Sequence, residues 1–195
     1  VTVTWTASDG GSGINTCTLT ISDGQTASCT GGDGSADFTM ADGAGYTANI
    51  AIADVAGNSA TSNTDTFSAD NTDPSAAITS DVVWENDGVV TVTWTASDGG
   101  SGIDTCTLTI SDGQTADCSA GDGSADFTMA DGADYTANIA IADVAGNTGS
   151  SNTDTFSADN TDPAAAITSD VVWENDGVVT VTWTASDGGS GINTC

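Results

Sequence analysis

The sequence predicts an all-β protein made of β-sandwich repeats in tandem, and three observations predict it. The string VTVTWTASDGGSGI, followed by Asn or Asp and then TC, begins at Val1, Val90 and Val179, which sets a period of 89 residues. Within each period, apolar residues alternate with Thr, Ser and Asn over short segments, the spacing of a half-buried strand. Gly/Asp turns divide those segments at the roughly eight-to-twelve-residue rhythm of a sandwich or barrel. Thr and Gly are poor helix formers, and no helical period competes.

Residues 1–75 and 90–164 differ at nine positions, among them Asn15/Asp104, Ser28/Asp117 and Gly45/Asp134. Copies this alike point to recent duplication, so their agreement does not sort functional from structural residues. The string opens inside one repeat and closes inside another, as expected of a segment of a longer array. The two prolines, Pro74 and Pro163, each close the string SADNTDP. Proline after Asx-rich sequence ends a strand and starts a linker. The expected domains are a repeat over 1–73 lacking its first strand, a complete repeat over 74–162, and the start of a third over 163–195.

The elements of the complete repeat follow in order. Residues 76–79 form a first strand, and ENDG at 85–88 forms a turn. VVTVTWTAS (89–97) puts Val90, Val92, Trp94 and Ala96 on one face. IDTCTLTI (103–110) has QTADC (114–118) as its hairpin partner, and SADFTM (124–129) follows. YTANIAIA (135–142) lines up Tyr135, Ala137, Ile139 and Ile141, and TDTFSA (153–158) carries Phe156. Seven strands in a repeat of this size suit an immunoglobulin-like, Greek-key sandwich with its own core. Trp84 is the aromatic that this strand assignment leaves unburied, and the expectation is that it caps the core.

Cys106 and Cys118 flank the hairpin TCTLTISDGQTADC, and Cys17 and Cys29 repeat it. A three-residue turn at Ser111, Asp112 and Gly113, with Gly113 left-handed, pairs Ile110 with Gln114. That register sets Leu108 opposite Ala116 and Cys106 opposite Cys118. Opposed Cβ atoms approach to about 4.5–5.5 Å, near disulfide range. The expected bridges are Cys17–Cys29 and Cys106–Cys118, which imply an oxidising, extracellular setting. Free thiols or a metal pair are the alternative, although two ligands without His make a poor zinc site. Cys195 has its equivalent partner twelve residues further on and is expected to be unpaired.

The ordered strings DGGSGI, DGADYTANIAIADVAGN and TDTFSADNTDP resemble the pattern of bacterial and archaeal immunoglobulin-like repeats. Such repeats occur in tandem in large cell-surface adhesins and extracellular stalks. The resemblance spans the whole repeat and implies the fold and an extracellular setting, without implying a ligand. Tyr135 and its counterpart Tyr46 fall where such sandwiches place a tyrosine corner. The antibody pattern itself is absent: Trp94 precedes the first cysteine, and the cysteines share one hairpin.

Charge decides what the protein does not do. There is no Lys, Arg or His against 28 acidic residues, a formal charge of −28. A His-based triad, a Schiff-base lysine and a phosphate clamp are all excluded, so no enzyme is expected. Nucleic acid is excluded by sign, and no run approaches the roughly 20 apolar residues of a membrane span. Self-repulsion on this scale opposes compactness unless cations screen it. Disorder is the simplest alternative, and the recurring β-branched strands oppose it. A halophilic setting with diffuse counter-ions is an alternative to specific ion sites.

Strand direction gathers acidic turns at the ends of each sandwich. Asp70 and Asp73 from the linker, with Asp98 and Asp143, form one candidate calcium set, because Ca²⁺ favours hard oxygen ligands. Asp159 and Asp162 with Asp187 form its equivalent. Asp and Asn also build turns without any ion, and that alternative stays open. If nothing clamps the junction, two sandwiches joined by the short linker SADNTDP are expected to swing freely. Asp104, Asp117 and Asp134 read as solvated surface. The expected function is a structural repeat of an extended extracellular rod, stalk or filament, with neighbouring repeats of the same chain as partners. A module that itself grips a glycan or surface, and a subunit of a laterally assembled filament of like chains, are the alternatives.

Overall fold

The computed structural model describes residues 1–81, 83–170, 174 and 177–194. The described residues form strands and turns and contain no helix. The chain divides into two compact units, one of Val1–Thr72 with Gly99–Ser101 and one holding the remainder from Asp73 onward. Cys195 lies outside the described residues.

The first unit contains β1 (Thr2–Trp5), β2 (Ile14–Ile21), β3 (Thr26–Ser28), β4 (Gly34–Asp37), β5 (Gly43–Asp54), β6 (Ser59–Thr61) and β7 (Asp65–Ala69). β1 and β4 pair alone, while the larger sheet runs β3-β2-β5-β6 with β7 also on β5. Period-2 alternation turns Leu19 and Ile21 of β2 and Ala48 and Ile50 of β5 inward to meet Phe38 and Met40, with Val3 and Trp5 packed partly buried against them.

The second unit contains β8 (Ser75–Ile78), β9 (Trp84–Glu85), β10 (Val89–Ser97), β11 (Ile103–Ile110), β12 (Thr115–Asp117), β13 (Gly123–Thr128), β14 (Gly132–Asp143), β15 (Thr148–Ser150), β16 (Asp154–Ala158), β17 (Ala164–Ile167) and β18 (Trp183–Ser186). One sheet runs β13-β10-β8 and the other β12-β11-β14-β16-β9, with β15 on β14. Val90, Val92, Trp94 and Phe127 from the first sheet share one core with Leu108, Ile110, Ile139 and Phe156 from the second. Two sheets joined by one core make a sandwich, and successive strands cross between them in Greek-key fashion. Burying each such side chain contributes about 1.5–3 kcal/mol. β17 and β18 form a separate two-stranded sheet.

The hairpin register is the expected one: Leu108 faces Ala116 and the Ile110 N–H donates to the Gln114 carbonyl. Cys106–Cys118 and Cys17–Cys29 are bridged, with Cα atoms 4.9 and 4.8 Å apart. Tyr135 Oη donates to the Ala130 carbonyl at 3.3 Å, and Tyr46 repeats this on Ala41 at 3.2 Å. Asp134 takes φ = 61°, where Gly45 in the first unit has φ = 76°. Asp is one of the few residues that tolerate this left-handed region, and its side chain is exposed.

One expectation needs correction. Trp84 does not cap the core: β9 adds in parallel to the edge of β16, and Trp84 is 45% exposed. A two-residue parallel strand has no sequence period by which to be recognised. The linker residues are hydrogen-bonded locally. In the first unit, Asp42 accepts the Asn71 N–H and the Thr72 hydroxyl. In the second, Asp131 accepts the Asn160 N–H and the Thr161 hydroxyl. Each linker is therefore fastened to the sandwich it leaves.

Candidate metal site

Each DGGSG string closes on its own aspartate. Asp98 Oδ2 accepts the Gly102 N–H at 2.7 Å, and Asp187 Oδ2 accepts those of Gly189 at 3.2 Å and Gly191 at 2.6 Å. Asp9 does the same for Gly11 and Gly13. Carboxylates collecting backbone N–H groups make turns with no ion present, so turn-forming is one established job of these residues.

Asp143 closes β14 in the same manner. Its Oδ1 accepts from the backbones of Gly146 and Asn147, both at 2.7 Å, and its Oδ2 from the Asn147 amide at 2.7 Å. It is 2% exposed. A hydrogen bond from Val144 N–H to the Gly102 carbonyl, 3.0 Å, ties this loop to that of Asp98. Carboxylate oxygens of Asp98 and Asp143 accordingly come within 4.8 Å of each other. Two like charges this close, one of them buried, attract a cation.

Asp159 and Asp187 meet through one loop. Asp159 Oδ2 accepts the Ser190 N–H at 2.5 Å and its Oδ1 that of Thr161 at 3.2 Å. A Cβ on Gly189 would collide with the Asp159 carboxylate, so glycine is what lets this carboxylate reach the loop. Asp159 is only 7% exposed. The Ser190 backbone N–H first, then its hydroxyl, hold the Asp159 carboxyl below its ordinary range. Asp187 Oδ1 is buried and has no hydrogen-bond partner among the described residues. A buried carboxylate oxygen without a protein donor is left for a water or a cation to satisfy, and the donor set around it is all oxygen, as calcium prefers.

In the first unit, Asp70 is the counterpart of Asp159. Its Oδ2 accepts the Ser101 N–H at 2.6 Å and its Oδ1 that of Thr72 at 3.1 Å. The Ser101 N–H first, then the Thr72 N–H, lower its carboxyl pKa. Asp73 and Asp162 are exposed, as are Asp104 and Asp117. Sequence reasoning missed the backbone N–H groups of Ser101 and Ser190, and it grouped Asp131 with the outgoing linker without finding that Asp131 and its counterpart Asp42 bind it. The second glycine of DGGSG was the available signal for the first pair. The second pair is joined to its partners across 29 residues, which no local pattern reveals.

No family model and no curated protein matches this sequence. Among solved structures, the chain is similar to the fibronectin(III)-like modules of Clostridium thermocellum CbhA, at 15% identity over 81% of this chain and 83% of that one, with a TM-score of 0.41. It is also similar to the BSP domain of a biofilm associated protein, at 22% identity, 83% and 28% coverage and a TM-score of 0.28. A third is SGBP-B of the Bacteroides ovatus mixed-linkage glucan utilization locus, determined with a mixed-linkage heptasaccharide, at 16% identity, 91% and 46% coverage and a TM-score of 0.25. The chain thus spans less than half the length of the latter two.

Proposed function

We propose that this chain is a non-enzymatic structural segment of an extended extracellular rod, built from tandem repeats and stiffened by calcium at the repeat boundaries. Asp98 and Asp143 hold one ion, and Asp159 with Asp187 holds part of the next. Asp73 and Asp162, exposed on the linkers, contribute outer, water-mediated charge. The observation that carries the reading is the buried Asp187 Oδ1 without a donor, on a loop already clasped by the buried Asp159. The intra-hairpin disulfides suit the oxidising exterior of a cell. An array in which each repeat contacts only its neighbours is the architecture of a spacer.

Calcium neutralises carboxylates that otherwise repel one another in a chain of charge −28. An ion that binds only the folded state stabilises it by about 2.7 kcal/mol at a hundredfold excess over its Kd. Melting and small-angle scattering of the full chain at moderate salt, in EDTA and then in calcium, test the reading. Calcium is expected to raise the melting temperature and chelation to reverse that gain. If neither melting temperature nor maximum dimension responds, the carboxylates are turn-formers and bulk salt alone handles the charge.

A further inference from the structure

Asp154 brings a carboxylate to the inner face of the second sandwich. On β16 it stands opposite Ala137 of β14, as Phe156 stands opposite Tyr135. Opposed residues of an antiparallel pair share a face. Ala137 is completely buried, so the Asp154 side chain turns inward with that of Phe156. Its Oδ1 accepts the Thr155 N–H at 3.0 Å. Its Oδ2 is buried and has no hydrogen-bond partner among the described residues.

A second such oxygen faces the same place. Ser80 Oγ is also buried and without a partner among the described residues. The N–H groups of Thr79 and Ser80 both donate to the Thr93 carbonyl, at 2.9 and 3.4 Å. Ile78 is buried, and the Thr79 hydroxyl meets that of Thr93 at 2.9 Å on the exposed side. Alternation therefore returns Ser80 to the inner side. Its position along the edge agrees. The Asn152 side chain binds the Ile78 N–H and carbonyl, and the Ser157 N–H donates to the Val83 carbonyl at 3.1 Å. From Ile78 to Val83 and from Asn152 to Ser157 the two stretches advance equally, which sets Ser80 beside Asp154. In the first unit Val3, Thr4 and Asp65, the counterparts of Val92, Thr93 and Asp154, border one common space.

We infer that Ser80 Oγ and Asp154 Oδ2 together hold a monovalent alkali cation, sodium or potassium, inside the second unit. The two oxygens do not bond to each other, so a third body joins them. A buried carboxylate is ordinarily paired with a cation. This chain has no Lys, Arg or His, so no side chain can supply that charge and it comes from solution. A single carboxylate neutralises a single positive charge, which separates this site from the paired carboxylates proposed for calcium. Carboxylate and hydroxyl oxygens are hard ligands, and water completes the shell. The bound ion ties the segment that follows β8 to the start of β16. Diffuse screening depends on ionic strength alone, whereas this site depends on which cation is present.

Thermal unfolding of the full chain in EDTA, at one ionic strength set with sodium, potassium or tetramethylammonium chloride, tests this. EDTA keeps calcium away, and tetramethylammonium screens charge but is too large to enter. Unfolding of the second unit is expected about 6–11 °C higher in the preferred alkali salt at a tenfold excess over its Kd. Asp154→Asn and Ser80→Ala each remove most of that difference. Asp104→Asn, which deletes an exposed charge of the same unit, keeps it. Ser80→Ala introduces no polar group, so it reports even where Asp154→Asn does not fold. Equal melting in all three salts would assign Asp154 Oδ2 to water or a proton and overturn the proposal. An alkali preference that survives Ser80→Ala and Asp154→Asn would overturn it as well.

Discussion

The two sandwiches differ at few positions in sequence and clearly in structure. In the second, the smaller sheet has three strands; in the first it has two. Val92 is completely buried and Trp94 is 6% exposed, while their counterparts Val3 and Trp5 are only partly buried. Phe156, on the strand to which β9 adds, is 1% exposed, and its counterpart Phe67 is only partly buried. At these places β8 and β9 add to the sheet edges of the second sandwich. A near-identical set of core side chains is therefore buried more deeply where short strands lie along the sheet edges.

The sharpest way to break this contrast is to weaken β8. Ile78→Ala removes the side chain that covers Trp94 and is expected to cost about 2–5 kcal/mol, as large-to-small changes in a core do. Calorimetry of the full chain should show the upper of two unfolding transitions falling toward the lower. An upper transition that does not move would mean that β8 is not what separates the units.

A smaller effect is expected at the position where the copies exchange Ala and Gly. Gly149→Ala drives a methyl group against the Pro74 carbonyl, a backbone atom that moves only by lifting β8. The expected cost is about 1–3 kcal/mol, the range for overpacking. Ala60→Gly in the first unit, where no strand lies above, should change stability by only about 0.5 kcal/mol. Urea midpoints for the two variants read the asymmetry directly, and equal effects would refute it.

The smallest distinction between the units is expected in acid. Asp42 is held below the ordinary carboxylate range by the Thr72 hydroxyl and then the Asn71 N–H. Asp131 is held there by the Thr161 hydroxyl and then the Asn160 N–H. Because the folded pKa lies below the unfolded one, the stabilisation is present above about pH 4 and is lost as pH falls through the folded values. Both units own such a clasp, so both transitions should fall together between pH 6 and pH 3. High salt is needed, since protonation also relieves self-repulsion. A fall confined to one unit would show that the two clasps are not equivalent.

Much of the candidate site was legible for a local reason. Asp98, Asp143 and Asp187 each bind N–H groups within four residues of themselves, and turn chemistry at that range is written in the Asp/Gly spacing. The clasp of Asp159 on Ser190 spans 31 residues. It depends on Gly189 having no side chain, a fact that acquires meaning only once the two loops are adjacent. Asp73 and Asp162 carry the same charge as their neighbours, yet lie exposed, because side-chain direction in a linker follows no period.

The sequence by itself determined the longer strands, their inward faces and the disulfides. Alternation with period two assigns β10, β11 and β14, and a three-residue turn sets Cys106 against Cys118 whatever else the chain does. Only the tertiary structure decided how deeply those faces are buried, that Trp84 joins a sheet edge, and that the linkers are fastened by Asp42 and Asp131. The physical reason is range. Pleat and turn geometry are properties of consecutive residues, whereas burial and long-range hydrogen bonds require a second segment to arrive. Trp5 and Trp94 occupy identical local sequence and differ in burial because β8 lies beside only one of them.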